Sequence, residues 1–285
     1  MPADLPVDYA YVRPFDRQRL RAGFSETMRG APKYNPTSVE AMIALLGLME
    51  LDIEVRDVRW MAYMLATAYW ETAEAVPRQR PAAAAGGART TASTRPRREW
   101  RTMVPNEEVG EGRGRRYHLE VKVQRLPTGG AVVMEQDGDS FTVSATGAIV
   151  VGQPNRRGTD PLQLTTAAYL AFEGTALRFH GRGFVHLTWW DNYAVTGAWL
   201  GVGLDLLLDP ERAKETQMAY RIMSYGMRTG RGFANRHRLE QFFVGQRSDY
   251  AGARAMVNGV DHKDEIADIA RRFERLLLSA RPSIA

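Results

Sequence analysis

The hydrophobic spacing of this chain changes period twice, and that limits what it can fold into. Over "NPTSVEAMIALLGLMEL", Val39, Met42, Ile43, Leu46 and Met49 recur at helical spacing. Thr37 is placed to cap that helix, with Glu40 three residues on reaching back to complete a capping box. A second helix is predicted over roughly 56–75, where Trp60, Met64, Thr67 and Glu71 form one stripe that ends in a carboxylate. From about 117 to 152 the period becomes two. There "HLEVKVQRL", "GAVVMEQ" and "DSFTVSATGAIVVG" alternate apolar with polar residues and are separated by the hairpin signals "PTGG" and "DGD".

Helical spacing then returns. Asp209 can cap, Pro210 takes a first helical position, and Gly230 stands just past the end. A last helix is predicted from Asp261, with Ile266, Ile269, Ala270, Phe273, Leu276 and Leu277 on its buried face. The expected fold is therefore α+β, mainly α. Residues 1–116 and 179–285 form the two parts of one helical domain, and 117–178 form a small antiparallel β insertion. Residues 153–179 carry no decisive period.

Within the first part, 78–98 is a Pro, Ala, Gly, Thr and Arg mixture that cannot bury enough apolar surface to offset its ordering entropy. It opens a basic stretch: 78–116 holds ten arginines against four glutamates, which accounts for the net charge of +5. That charge suits a polyanion, whether an acidic cell wall or nucleic acid. Nucleic acid ranks last, because only Trp100 and Tyr117 lie near as stacking aromatics.

Absent residues narrow the chemistry. There is no cysteine, so disulfides, thiolate metal sites and a cysteine nucleophile are excluded. The histidines at 118, 180, 186, 237 and 262 make no pair at metal-ligand spacing, so no metal and no cofactor are expected. No apolar run approaches the roughly 18 residues of a membrane helix. The N-terminus lacks a secretory leader pattern, so synthesis in a cytoplasm is expected.

What remains is carboxylate acid/base chemistry. Glu71 ends an apolar, aromatic helix stripe beside Trp70, where desolvation is expected to keep it protonated as a general acid. Glu107 and Glu108 sit in a glycine-rich turn, where a carboxylate could stay ionised and activate a water.

Three segments in order, "AYMLATAYWETA", "GRGFVHLTWWDNY" and "ARAMVNGVDH", resemble glycoside hydrolase family 19, the chitinase-like lysozymes that include many phage endolysins. Together with "EEVGEGRG" they span about residues 37 to 278 once insertions are set aside. The resemblance implies a lysozyme-like helical domain that acts as a monomer. It makes Glu71 the acid and Glu108 the base, with Glu107 the near alternative. It places Thr188 beside the attacking water and Asn258 on substrate. Trp70 stands where the family commonly has His, and His186 where it commonly has Gln. His186 could hydrogen-bond a sugar and, titrating near neutrality, would make binding pH-dependent.

In the same segment Trp189 or Trp190 should line the cleft, since neighbours on an extended chain alternate faces. Arg182 and Tyr193 are further candidates for sugar contacts, although for Arg182 an ion pair fixing the loop is the favoured reading. Such enzymes invert, with the two carboxyls roughly 6.5–9.5 Å apart. The implied substrate is the β-1,4-linked amino-sugar strand of peptidoglycan or, second, chitin, reached after release from the cell or as part of a phage particle. The rival is a non-catalytic glycan-binding protein.

Overall fold

The computed structural model describes residues 6–77, 98–152, 166–257 and 259–282. Residues 78–97 of the low-complexity stretch, and Asn258, lie outside the described residues. Helices α1 (Arg17–Met28), α2 (Ser38–Leu51) and α3 (Val58–Glu71) come first. Short strands β1 (Glu74–Pro77), β2 (Arg98–Arg101) and β3 (Asn106–Glu107) follow. Then come β4 (Val121–Arg125), β5 (Ala131–Met134), β6 (Ser140–Val143), β7 (Ile149–Val151), α4 (Ala167–Ala171), β8 (Thr175–Leu177) and β9 (Arg182–Gly183). The chain closes with α5 (Trp190–Trp199), α6 (Asp205–Leu208), α7 (Thr216–Thr229), α8 (Leu239–Phe242) and α9 (Lys263–Ser279). The described residues mix α-helices with small β-sheets.

The central element is α3. It is apolar on nearly every side, and a helix of that kind must be surrounded; Met61 through Tyr69 are all buried. Asp57 caps it by accepting from the Arg59 amide at 2.8 Å. Along one side lies α9, whose Ile266, Ile269, Ala270, Phe273, Leu276 and Leu277 are buried as the spacing predicts. Phe273 meets Tyr69 edge-on at 6.0 Å.

The expected capping box on α2 does not form. The Thr37 side chain makes no capping hydrogen bond, and Glu40 instead accepts from Arg21 Nε at 2.7 Å. An exposed glutamate has a charged partner to hand on α1, which outcompetes a backbone amide.

The insertion is a five-stranded antiparallel sheet in the order β7, β6, β5, β4, β8. Its third predicted strand is in fact a hairpin. The run 139–152 folds at Ser144–Gly147, where the Gly147 amide donates to the Ser144 carbonyl and Gly147 takes φ 78°. Val121, Val123, Ala131, Val133, Phe141 and Val143 alternate onto the inner face. Trp190, at the start of α5, packs on Phe141 at 4.9 Å and donates from Nε1 to Glu135 Oε1 at 2.8 Å. Sheet and helices share one continuous core.

Candidate functional site

Glu71 is the last residue of α3, and its position is set by the threonine after it. Thr72 is buried, donates to the Ala68 carbonyl at 2.6 Å and accepts from the Met103 amide at 2.6 Å. Its carbonyl accepts from Asn106 Nδ2 at 3.3 Å. The helix end is thereby tied to the strand β3 that carries Glu107, with Glu108 directly after it.

Pairing of β3 with β9 then sorts the two glutamates. Asn106 lies opposite Gly183 and Glu107 opposite Arg182, and successive side chains on a strand leave by opposite faces. Glu107 points to an ion pair with Lys214, with His180 Nε2 at 3.7 Å and Arg182 Nε at 4.0 Å. The alternative base is therefore neutralised on the far face.

Glu108 points the other way. Its Oε1 accepts from the Tyr117 hydroxyl at 2.8 Å and its Oε2 from the Gly181 amide at 3.0 Å. Two glycines make this possible. A Cβ on Gly112 would stand 2.1 Å from the Tyr117 ring, and one on Gly181 would stand 2.9 Å from Glu108 Oε2 and 2.8 Å from His186 Cβ. The Tyr117 hydroxyl is pushed up to about 12 by burial, then by the Glu108 carboxylate it bonds.

The segment 178–193 is not an extended cleft wall. Arg182 and Leu187 exchange backbone hydrogen bonds at 3.2 and 3.0 Å, closing a tight turn in which Gly183 takes φ 86° and His186 φ 48°. A histidine in the left-handed region is a strained choice, and here it lays the imidazole beside Glu71, within the electrostatic reach of Glu108. Nδ1 of His186 is 3.9 Å from Glu71 Oε2, and Nε2 is 3.1 Å from Asn106 Oδ1.

Asn106 fixes the tautomer. Its Nδ2 donates to the Thr72 carbonyl, so its Oδ1 must face His186 and can only accept. Nε2 therefore carries the proton, and Nδ1 presents a lone pair toward Glu71. Burial lowers the His186 pKa, against the opposing pull of Glu71 and Glu108. Burial thus biases this imidazole toward its uncharged form.

One correction concerns Glu71 itself. Its surroundings are not simply apolar, because Oε1 accepts from Arg254 Nη1 at 2.5 Å. Arg254 is 1% exposed and also donates from Nε to the Asp261 carbonyl at 2.9 Å. Oε2 of Glu71 is left facing His186. Neither Arg254 nor Asn106 is singled out by spacing; Arg254 lies inside the quoted "ARAMVNG" but is one of 38 Lys and Arg residues.

Two expected sugar contacts are withdrawn. Arg182 is 4% exposed, and it is spent on Glu211 at 2.9 Å and on the Arg178 carbonyl at 2.9 Å. Tyr193 is fully buried and donates to the His180 carbonyl at 3.0 Å. Tyr193 is interior because Trp190–Trp199 is helix, which turns it inward, and Arg182 because β9 directs it onto Glu211. Trp189 takes φ 71°, stays half-buried and meets Tyr117 edge-on at 5.6 Å, beside the Glu108 carboxylate. Thr188 is half-buried, and its carbonyl accepts from Asn192 Nδ2 at 3.0 Å.

Among the described residues no cluster of His, Asp and Glu could hold a metal, and no helix is long and apolar enough to cross a membrane. Compared with known protein families, characterised proteins and solved structures, the chain matches none of them.

Proposed function

We propose that the protein is a glycoside hydrolase of lysozyme-like fold that cleaves β-1,4 bonds between amino sugars in peptidoglycan by inversion. The observation that carries this reading is the convergence of Glu71 and Glu108 on His186, from elements far apart in sequence. The roles follow from which carboxylate oxygens are occupied. Both oxygens of Glu108 accept from neutral donors, which fixes it as the base that orients and activates a water. On Glu71 only Oε1 is bound, by Arg254, so Oε2 is the atom that holds the proton for the leaving oxygen. His186, biased toward its uncharged form and fixed by Asn106, offers an acceptor to a sugar hydroxyl beside Glu71.

The competing reading is a glycan-binding protein without turnover. The Arg254 guanidinium on Glu71 favours it, because a buried ion pair there also has a purely structural use in holding the end of α3. Release of new reducing ends from purified peptidoglycan and from chitin oligomers separates the two. The glycosidase reading requires release by wild type and its loss in Glu71→Gln; binding with no release by either protein overturns it.

A further inference from the structure

Lys33 lies in the turn between α1 and α2 with φ 60°, another strained non-glycine position. Its ammonium sits 3.9 Å from the centroid of the Trp70 ring and 5.9 Å from that of Trp100, and donates to the Trp70 carbonyl at 3.3 Å. Trp70 directly precedes Glu71, and His262 packs on it at 4.8 Å. Among the described residues Lys33 makes no ion pair within 4.0 Å. An ammonium has three donors, and one of them is used by the carbonyl.

Charge around this end of the site is lopsided. Lys33 and Arg254 both feel the charge of Glu71, and Arg254 already occupies that carboxylate at 2.5 Å. The Lys33 ammonium is half-buried, held over aromatic faces and, among the described residues, without an ion-pair partner within 4.0 Å, which leaves it able to receive an anion. Trp100 also lines a neighbouring cavity of about 550 Å³ together with Asn35, Thr37, Ser38, Glu99, Arg101 and Thr102.

We infer that Lys33, seated between Trp70 and Trp100, is a specificity residue that binds a carboxylate substituent of the glycan next to the cleavage point. The substrate is then an amino-sugar strand bearing acidic substituents, and not the neutral strand of chitin. This rests on the glycosidase reading above and adds to it the charge of the substrate.

The test measures affinity by calorimetry in a Glu108→Gln background, which leaves the Lys33 neighbourhood intact and slows turnover. The probes are a neutral N-acetylglucosamine tetramer and a tetramer of equal length in which alternate sugars carry a free carboxylate. The acidic tetramer should bind about tenfold tighter, as one charge-assisted hydrogen bond would give. Lys33→Met, which keeps the length and the apolar stem, should erase that preference. Lys33→Arg, which keeps the charge, should retain it, and melting temperatures report whether each variant folds. Equal affinities for the two tetramers, or a preference that survives Lys33→Met, overturn the inference while leaving the glycosidase reading in place. Binding of neither tetramer overturns both.

Discussion

Glu71 closes a buried helix and accepts from a buried guanidinium, whereas Glu108 sits on a glycine-rich turn and accepts from a phenol and a backbone amide. Both carboxylates face the same imidazole, yet they are anchored by different physics. Around Glu71 the anchor is charge in a low-dielectric setting, with Arg254 1% exposed and the Glu71 side chain 13% exposed. Around Glu108 it is shape: Gly112 leaves space for the Tyr117 ring, and Gly181 for the Glu108 carboxylate and the His186 side chain. Charge anchoring makes a site expensive to break, and shape anchoring makes it sensitive to a single added carbon.

The largest expected effects are on turnover. Glu71→Gln and Glu108→Gln should each lower hydrolysis of peptidoglycan by about 10²–10⁴-fold, the usual worth of a positioned acid or base, as read by release of reducing ends. Next is stability on the charged side. Arg254→Met leaves the Glu71 carboxylate buried without its partner and should cost about 3–5 kcal/mol, read from urea unfolding. On the neutral side, Tyr117→Phe removes one hydrogen bond to Glu108 and should cost about 1 kcal/mol in the same assay. A Tyr117→Phe loss as large as that of Arg254→Met would erase the distinction between the two anchors.

The smallest effect is on pH dependence. Burial lowers His186 and His180 below the ordinary 6.5, so the folded state resists a proton that the unfolded state takes up. Stability should therefore be intact above pH 6.5 and fall as the pH drops below it toward the folded values. His186→Gln should remove that histidine's share of the slope, measured as melting temperature against pH. A slope unchanged in His186→Gln would mean that burial does not bias the imidazole toward its uncharged form.

The difference between the two anchors also explains what the sequence made legible. Glu71 stands out as a candidate because α3 is periodic and a carboxylate closes its aromatic stripe, and the structure does place it at the end of that helix. The inward faces of α9 and of β4 to β6 were legible for the same reason. Glu108 could be narrowed to a pair with Glu107, but the choice depends on which face of β3 each residue leaves by, and that follows from long-range pairing with β9. The ion-pair reading of Arg182 holds, with Glu211 as its partner, whereas Tyr193 turns out buried, because aromatic residues look alike whether they line a cleft or fill a core. The 178–193 segment alternates like a strand, yet it is a tight turn followed by a helix, since backbone pairing of Arg182 with Leu187 overrides local period. Arg254, Asn106 and Lys33 were invisible because their roles arise only from partners distant in the chain.

The division of labour between the two carboxylates is the central claim, and a substrate that needs no acid tests it most directly. The measurement is hydrolysis of an amino-sugar oligomer carrying a good aryl leaving group, by wild type, Glu71→Gln and Glu108→Gln. Such a leaving group departs without protonation, so Glu71→Gln should recover most of the wild-type rate while Glu108→Gln stays inactive. Recovery in Glu108→Gln but not in Glu71→Gln, or equal rates for the two variants, would contradict the assignment.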